Sequence, residues 1–311
     1  MSDTLQKAEE RLLHAIGAAR VSHAFFLASL DPEPARQLAE RIAALICVGE
    51  MDAARLAESA NFRAYEGAAM RMDDVRELIA SLAQSPLDGR LRCILIANAH
   101  HMSANVQNAL LKTLEEPPAS TVFMLIGNIA GVLPTIASRC AILRLGFSSA
   151  QEIEPLLRSH GATPSAAKLY AAAGGGSRTR SFRLEEDEAF RALRLDSFAT
   201  LTALLRGALP LSASKKLCAN RNAADALSFM LSFLRDMLLL RARYSAALEN
   251  PDQRDAIAAL AARFTIGRIT CMREMLSKAM NELYAPGASL LTDLAVMDKL
   301  FLELSEAISN Q

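Results

Sequence analysis

The sequence predicts an α/β domain built on a parallel sheet, followed by an all-helical half. Three observations carry this. Up to about residue 148, short apolar runs alternate with helical stretches. Two of those runs, 94-ILIA-97 and 122-VFMLI-126, are apolar without period-2 alternation, as expected of central strands covered on both faces. Beyond residue 148 no strand pattern recurs.

In chain order, the first strand is 23-HAFFLAS-29, followed by a helix through 35-ARQLAERIAALIC-47. A strand at 61-NFRAYEG-67 leads to a helix near 72-MDDVRELIASLAQ-84, and 91-LRCILIANA-99 is the next strand. Ser103 can cap a helix that runs through Val106, Leu110 and Leu114 and ends in 108-NALLKTLEEPP-118. Pro117-Pro118 stops it, because proline cannot continue the hydrogen-bond ladder. The strands 121-TVFMLIGN-128 and 141-AILRLGF-147 close the series, with 133-LPTIASRC-140 between them. Residues 149 to 173 read as two short helices around a turn at 161-GATP-164, and 174-GGG-176 breaks the chain. Long amphipathic segments follow from about residue 190, notably 223–248 and 289–308. In the former, Leu227, Met230, Leu231, Leu234, Met237 and Leu238 keep the three-four spacing of a helix face.

Composition narrows the function classes. The 311 residues are 51% apolar and 22% charged, the profile of an ordinary globular chain of about two domains. Lysine plus arginine equals aspartate plus glutamate at 34 each, so the chain lacks the overall positive charge usual in nucleic-acid binders. The apolar runs are shorter than the ~20 residues of a membrane span, and the first residues are acidic where a signal peptide is basic. A cytoplasmic protein is expected. Cys47, Cys93, Cys140, Cys218 and Cys271 form no C-x-x-C pair and are odd in number, so they read as buried reduced thiols. Adjacent His100-His101 lacks supporting ligands at zinc spacing, and no metal site is expected.

In parallel sheets chemistry sits at the carboxyl ends of strands. NALLKTLEEPP, followed by TVFMLIGN and LPTIASRC, resembles the clamp-loader branch of the AAA+ ATPases, in which this helix follows the Walker B strand and a Ser-Arg-Cys motif follows the sensor 1 strand. The match is dense over about residues 98 to 140, and fainter from 23-HAFFL to 182-FRL. It implies an α/β AAA+ (RecA-like) domain over 1–147, a small helical lid over 148–192 and a helical collar over 193–311.

An ATPase of this family needs a P-loop, G-x-x-x-x-G-K-[ST], whose glycines let backbone N–H groups approach phosphate and whose lysine neutralises it. The stretch here is 29-SLDPEPAR-36. Ser29 and Pro34 replace the glycines, Ala35 stands for the lysine and Arg36 for the hydroxyl residue. Pro32 and Pro34 each remove a donor, and Asp31 and Glu33 put carboxylates where a helix dipole would otherwise attract phosphate. At the Walker B position Ala97 and Asn98 replace the acidic residues, and His100 stands where a further acid is common. Magnesium prefers oxygen ligands. No bound nucleotide or other cofactor is therefore expected.

Ser138-Arg139-Cys140 is nevertheless complete. In the resembling proteins its arginine crosses a subunit interface and stabilises charge on the neighbour's γ-phosphate, a task suited to the rigid, always charged guanidinium fork. The resemblance thus implies a subunit that lends Arg139 without owning a catalytic site; a salt bridge at the sheet edge is the plain alternative. The combination is similar to the delta-prime group of bacterial DNA polymerase III clamp-loader subunits. It implies gamma/tau ATPase subunits and a delta subunit as partners, with the sliding clamp and primer-template DNA reached through the complex. Asn128, at the sensor 1 position, reads as vestigial. Residues 173-AGGGSRTRSFRL-184 resemble the start of a sensor 2 helix, with Arg178 or Arg180 as its arginine. One departure is the zinc module common after the first helix, which is missing because Cys47 runs directly into 48-VGEMDAARLAESANF-62. Arg71, Arg76, Arg178 and Arg183 are candidates for a DNA path. The rival readings are an active motor, which needs the absent lysine, a delta-like clamp-opening subunit, and a regulatory AAA+ paralogue outside replication.

Overall fold

Successive residues of a strand point to opposite sides, and in the first half both sides are apolar. Along β3 (Arg92–Ala97) and β4 (Thr121–Gly127), Cys93, Leu95, Val122, Met124 and Ile126 enter one core, while Ile94, Ile96, Phe123 and Leu125 enter another. The computed structural model describes residues 3–17, 23–29, 31–83, 86, 89–118, 120–209, 211–219, 222–284 and 290–309. Leu30, in the stretch that replaces a P-loop, and Ser289, at the start of the last helical segment, lie outside the described residues.

With β1 (Ala24–Ala28), β2 (Phe62–Glu66) and β5 (Ala141–Arg144), the strands form a five-stranded sheet in the order β2-β3-β4-β1-β5, every neighbouring pair parallel. Helices α1 (Asp3–Gly17) and α2 (Pro32–Cys47) cover one face through Leu12, Leu38 and Ile42. Helices α3 (Met72–Leu82) and α4 (Ala104–Glu115) cover the other through Val75, Leu78, Val106, Leu110 and Leu114. The α/β layering around a parallel sheet expected from the alternation is therefore present. Two details differ from the sequence reading. Helix α1 was not singled out in it, and α2 starts at Pro32, three residues before Ala35, because proline fits the first helical turn. After Cys47 the chain closes through a short turn at Ala53–Glu58, capped by the Asp52 carboxylate, which accepts from the Ala54 N–H at 3.0 Å.

The chain divides into two compact units, 1–148 and 149–311. The second is all-helical: α6 (Ala150–Ser159), α7 (Pro164–Ala173), α8 (Arg178–Glu186), α9 (Glu188–Leu205), α10 (Leu211–Cys218), α11 (Ala223–Arg241), α12 (Arg254–Ala261), α13 (Ile266–Leu283) and α14 (Leu290–Ser309). The single turn at Pro134–Ala137 in the first unit is α5. A small core of Ile153, Leu157, Ala167 and Ala171 lies between α6 and α7. The larger core gathers Phe190, Phe229, Met230, Phe233, Leu276 and Phe301, and takes in Ala173 and Leu184.

The helix expected over 223–248 ends earlier, at Arg241. Arg243 adopts a positive φ of 53°, and the chain turns back so that buried Asn250 meets Asp236. The Asp236 carboxylate accepts from the Asn250 backbone at 2.7 Å and from its side chain at 3.0 Å. The cysteines also need a correction: Cys47, Cys93 and Cys218 are buried, but Cys140 is half-buried and Cys271 faces solvent on α13; all five are free. Among the described residues no helix is long and apolar enough to cross a membrane.

Candidate functional site

The carboxyl ends of β1, β3 and β4 bring three sequence segments together. After β1, the Ser29 N–H donates to the Gly127 carbonyl at 3.1 Å, so the chain leaves the sheet tied to β4. The Ser29 hydroxyl donates to the Asp31 carbonyl at 2.8 Å and accepts from the Asp31 N–H at 3.0 Å. Helix α2 then begins at once, inside the segment where a phosphate-binding loop would curl. Two of the first four helical residues, Pro32 and Pro34, have no N–H to offer. Glu33 adds a carboxylate to that first turn. Ala35 is fully buried in the core with Leu38 and Ile42, and Arg36 turns outward to pair with Glu40 at 2.8 Å.

At the end of β3, Ala97 is buried and Asn98 takes the left-handed conformation, φ 48° and ψ 43°. The Asn98 amide donates to Glu66 at 2.9 Å. Gly67 is needed beside it, since a Cβ there would lie 2.3 Å from the Asn98 carbonyl oxygen. His100 packs against Gly127 at the end of β4, where an added Cβ would lie 2.4 Å from its Nδ1; that Nδ1 accepts from the Asn128 N–H at 3.3 Å, and the His100 ring centre lies 4.1 Å from that of His101. Desolvation, with a smaller push from His101, lowers its pKa to about 4, so it is neutral at physiological pH. Asn128 uses its carboxamide oxygen locally, accepting from the Ala130 N–H at 3.0 Å.

Helix α4 starts as expected, with Ser103 accepting from the Val106 N–H at 3.3 Å. Its middle holds a residue that the sequence reading missed. Gln107 is fully buried; its Oε1 accepts from the Leu133 N–H at 2.7 Å and its Nε2 donates to the Met102 carbonyl at 3.1 Å. The signal was its spacing, three before Leu110 and seven before Leu114, on the buried face. Gln107 thereby ties α4 to the segment that opens α5.

That segment carries Ser138-Arg139-Cys140. Ile136 is fully buried and anchors the turn, and the Ser138 hydroxyl donates to the Thr135 carbonyl at 3.0 Å. Arg139 Nη1 donates to the same carbonyl at 2.7 Å, and Nη2 pairs with the Glu115 carboxylate at the end of α4. Arg139 Nε is buried without a hydrogen-bond partner among the described residues. The side chains of Arg139 and Glu115 keep 30% and 46% of their exposure, so the pair sits at the surface. Burial pushes the Cys140 thiol up to about 11, which makes it a packing residue and not a thiolate. The two motifs quoted from the sequence are thus joined through Glu115 and Arg139.

In the second unit, Arg180 packs inward. It donates to Ser228, stacks 4.6 Å from the Phe229 ring centre, and is held below the ordinary arginine range by burial. Arg183 pairs with Asp225 at 2.8 Å and lies 3.9 Å from the Phe190 ring centre. Arg76 pairs with Asp73 at 2.8 Å, and the Arg71 backbone N–H donates to Asp74 at 2.7 Å in the cap of α3. Among the described residues, the group whose ligand atoms could converge on a metal is His160, Glu185 and Glu186, with the two imidazole nitrogens each 3.5 Å from a different carboxylate.

A five-stranded parallel sheet between helical layers, with its polar segments collected at the ends of β1, β3 and β4, defines a three-layer α/β module with an all-helical unit following it in sequence. Residues 4–148 match the family described as DNA polymerase III, delta subunit, and residues 188–286 match DNA polymerase III, delta subunit, C terminal. Between them the two matches cover most of the chain, which belongs to the DNA polymerase III delta-subunit family that they describe. It is 36% identical over 141 residues to the DNA polymerase III subunit delta' of Pseudomonas aeruginosa, covering 40% of this chain and 43% of that one. It is 37% identical over 89 residues to the subunit gamma of Buchnera aphidicola, covering 28% and 25%. The chain thus spans less than half the length of these relatives. The solved Bacillus subtilis DNA clamp loader delta protein aligns with 97% of the chain and 99% of its own at 14% identity and a TM-score of 0.38, a likeness that says nothing about function.

Proposed function

We propose that this chain is a non-catalytic, delta'-like subunit of a DNA polymerase III sliding-clamp loader in the cytoplasm, which holds no nucleotide and lends Arg139 to ATP bound by a neighbouring subunit. The observation that carries the reading is a contrast within one site. Where phosphate would sit, α2 begins with Pro32-Glu33-Pro34 and a buried Ala35, whereas Arg139 lies at the surface on a braced turn. During hydrolysis water attacks the γ-phosphorus and the bond to the bridging oxygen breaks, so charge grows on the oxygens that a guanidinium fork can meet. Gamma/tau-type ATPase subunits and a delta subunit are the partners of this reading, and clamp and primer-template DNA are reached through the assembly. Residues 148–192 would act as the lid and 193–311 as the collar that holds the ring together. Calorimetric titration of the isolated chain with ATP and Mg²⁺, alongside co-purification with the ATPase subunits, tests it. No heat of binding and a stoichiometric complex are expected; a saturable isotherm at micromolar ATP, or no complex, overturns it.

A further inference from the structure

The chain contains its own competitor for Arg139. Glu115 is the last residue of α4, separated from the two prolines by Glu116, and its carboxylate takes the Nη2 donor that a neighbour's phosphate would need. This contact is part of the frame: Gln107 bonds the Leu133 N–H one residue before α5, so the helix carrying Glu115 and the turn carrying Arg139 are fixed to each other. Thr135 holds Nη1 from the other side.

We propose that Glu115 is a positioning residue that parks Arg139 in the free chain and is exchanged for an oxyanion of the neighbour's nucleotide on assembly. The proposal rests on the finger reading above. Three features support exchange over a permanent staple. Both side chains are partly exposed, and exposed ion pairs are worth little, so release is cheap. The Thr135 carbonyl can keep Nη1 while Nη2 changes partners, which preserves the direction of the guanidinium. Arg139 Nη1 also lies 3.5 Å from the Ser138 hydroxyl, so the guanidinium keeps a second local contact when Nη2 is released. Glu115 thus neutralises the arginine until a more highly charged acceptor arrives.

The test is a mutant cycle in the reconstituted ring, read as hydrolysis at the adjoining ATP site across nucleotide concentrations. Glu115→Gln keeps an acceptor but removes the charge. It should lower the nucleotide concentration for half-maximal rate by about 1.5- to 5-fold, the range of an exposed pair. Glu115→Asp should stay near wild type. In an Arg139→Ala background Glu115→Gln should change nothing. Side-chain NMR of the free chain reads the contact independently of activity: rotation of the Arg139 guanidinium should be faster in Glu115→Ala than in wild type, although the Thr135 contact still restrains it. A gain with Glu115→Gln that persists without Arg139, a weaker half-maximal concentration in Glu115→Gln, or a guanidinium indifferent to Glu115 overturns the proposal. Arg139→Ala alone, if it leaves the neighbour's rate unchanged, overturns the finger reading itself, and that result is visible before the cycle is closed.

Discussion

Replacing Gln107 by leucine removes a buried polar brace while nearly keeping its volume. Three partners lose their bonds: the Leu133 N–H, at 2.7 Å from Oε1, the Met102 carbonyl, at 3.1 Å from Nε2, and, more weakly, the Gly131 carbonyl at 3.5 Å from Nε2. Each buried group left unsatisfied costs about 1–3 kcal/mol. Leucine returns about 1 kcal/mol through the apolar surface it adds. For the two shorter bonds the net loss is about 1–5 kcal/mol, which for a unit of this size lowers the melting temperature by about 2–20 °C. Circular dichroism melts of the full chain, with urea titrations to check that the slope is unchanged, read the effect. A first-unit transition that moves by less than about 1 °C would refute the claim that Gln107 braces the turn carrying Arg139.

Three further outcomes are expected. His100 has its pKa lowered from 6.5 to about 4. The unfolded chain therefore takes the proton first, and a contribution of up to about 3 kcal/mol, complete above pH 6.5, is lost as pH falls through 4. Urea titrations against pH should show this loss flattened in His100→Phe, and an unaltered curve contradicts it. Ala35→Lys should destabilise the first unit by about 3–5 kcal/mol, because it places an unpaired ammonium in the core, and calorimetry should still detect no ATP binding; a saturable isotherm contradicts the account of the lost cradle. Expressed separately, residues 1–148 and 149–311 should each melt cooperatively, since each has its own apolar core; a fragment without a transition contradicts this.

The parts of the fold legible in the sequence were those that local chemistry decides. The apolar runs of β3 and β4 could only be covered strands, and Ser103 and Pro117-Pro118 marked both ends of α4. What escaped was decided by long-range contacts. The apolar spacing of α11 continues past Arg241, but the bond between Asn250 and Asp236 draws the chain away. Gln107 looks like a surface residue until its spacing from Leu110 and Leu114 places it inside. Arg139 was readable as a candidate because its motif is local, whereas Glu115 lies 24 residues away and only the packing of α4 against α5 brings its carboxylate to the guanidinium.

The central claim is that this chain supplies an arginine to a site it does not own, and single-turnover hydrolysis at the adjoining ATP site of the reconstituted ring tests it most directly. Removing an exposed ion pair costs at most about 1 kcal/mol, so Arg139→Ala should remain folded and assemble. Hydrolysis at that interface should fall by at least about 10³-fold, and Arg139→Lys should recover little of it, because a point charge cannot reproduce the planar fork. An unchanged rate at the adjoining site, or a chain that unfolds when Arg139 is truncated, would contradict the claim and leave Arg139 as one half of a structural pair with Glu115.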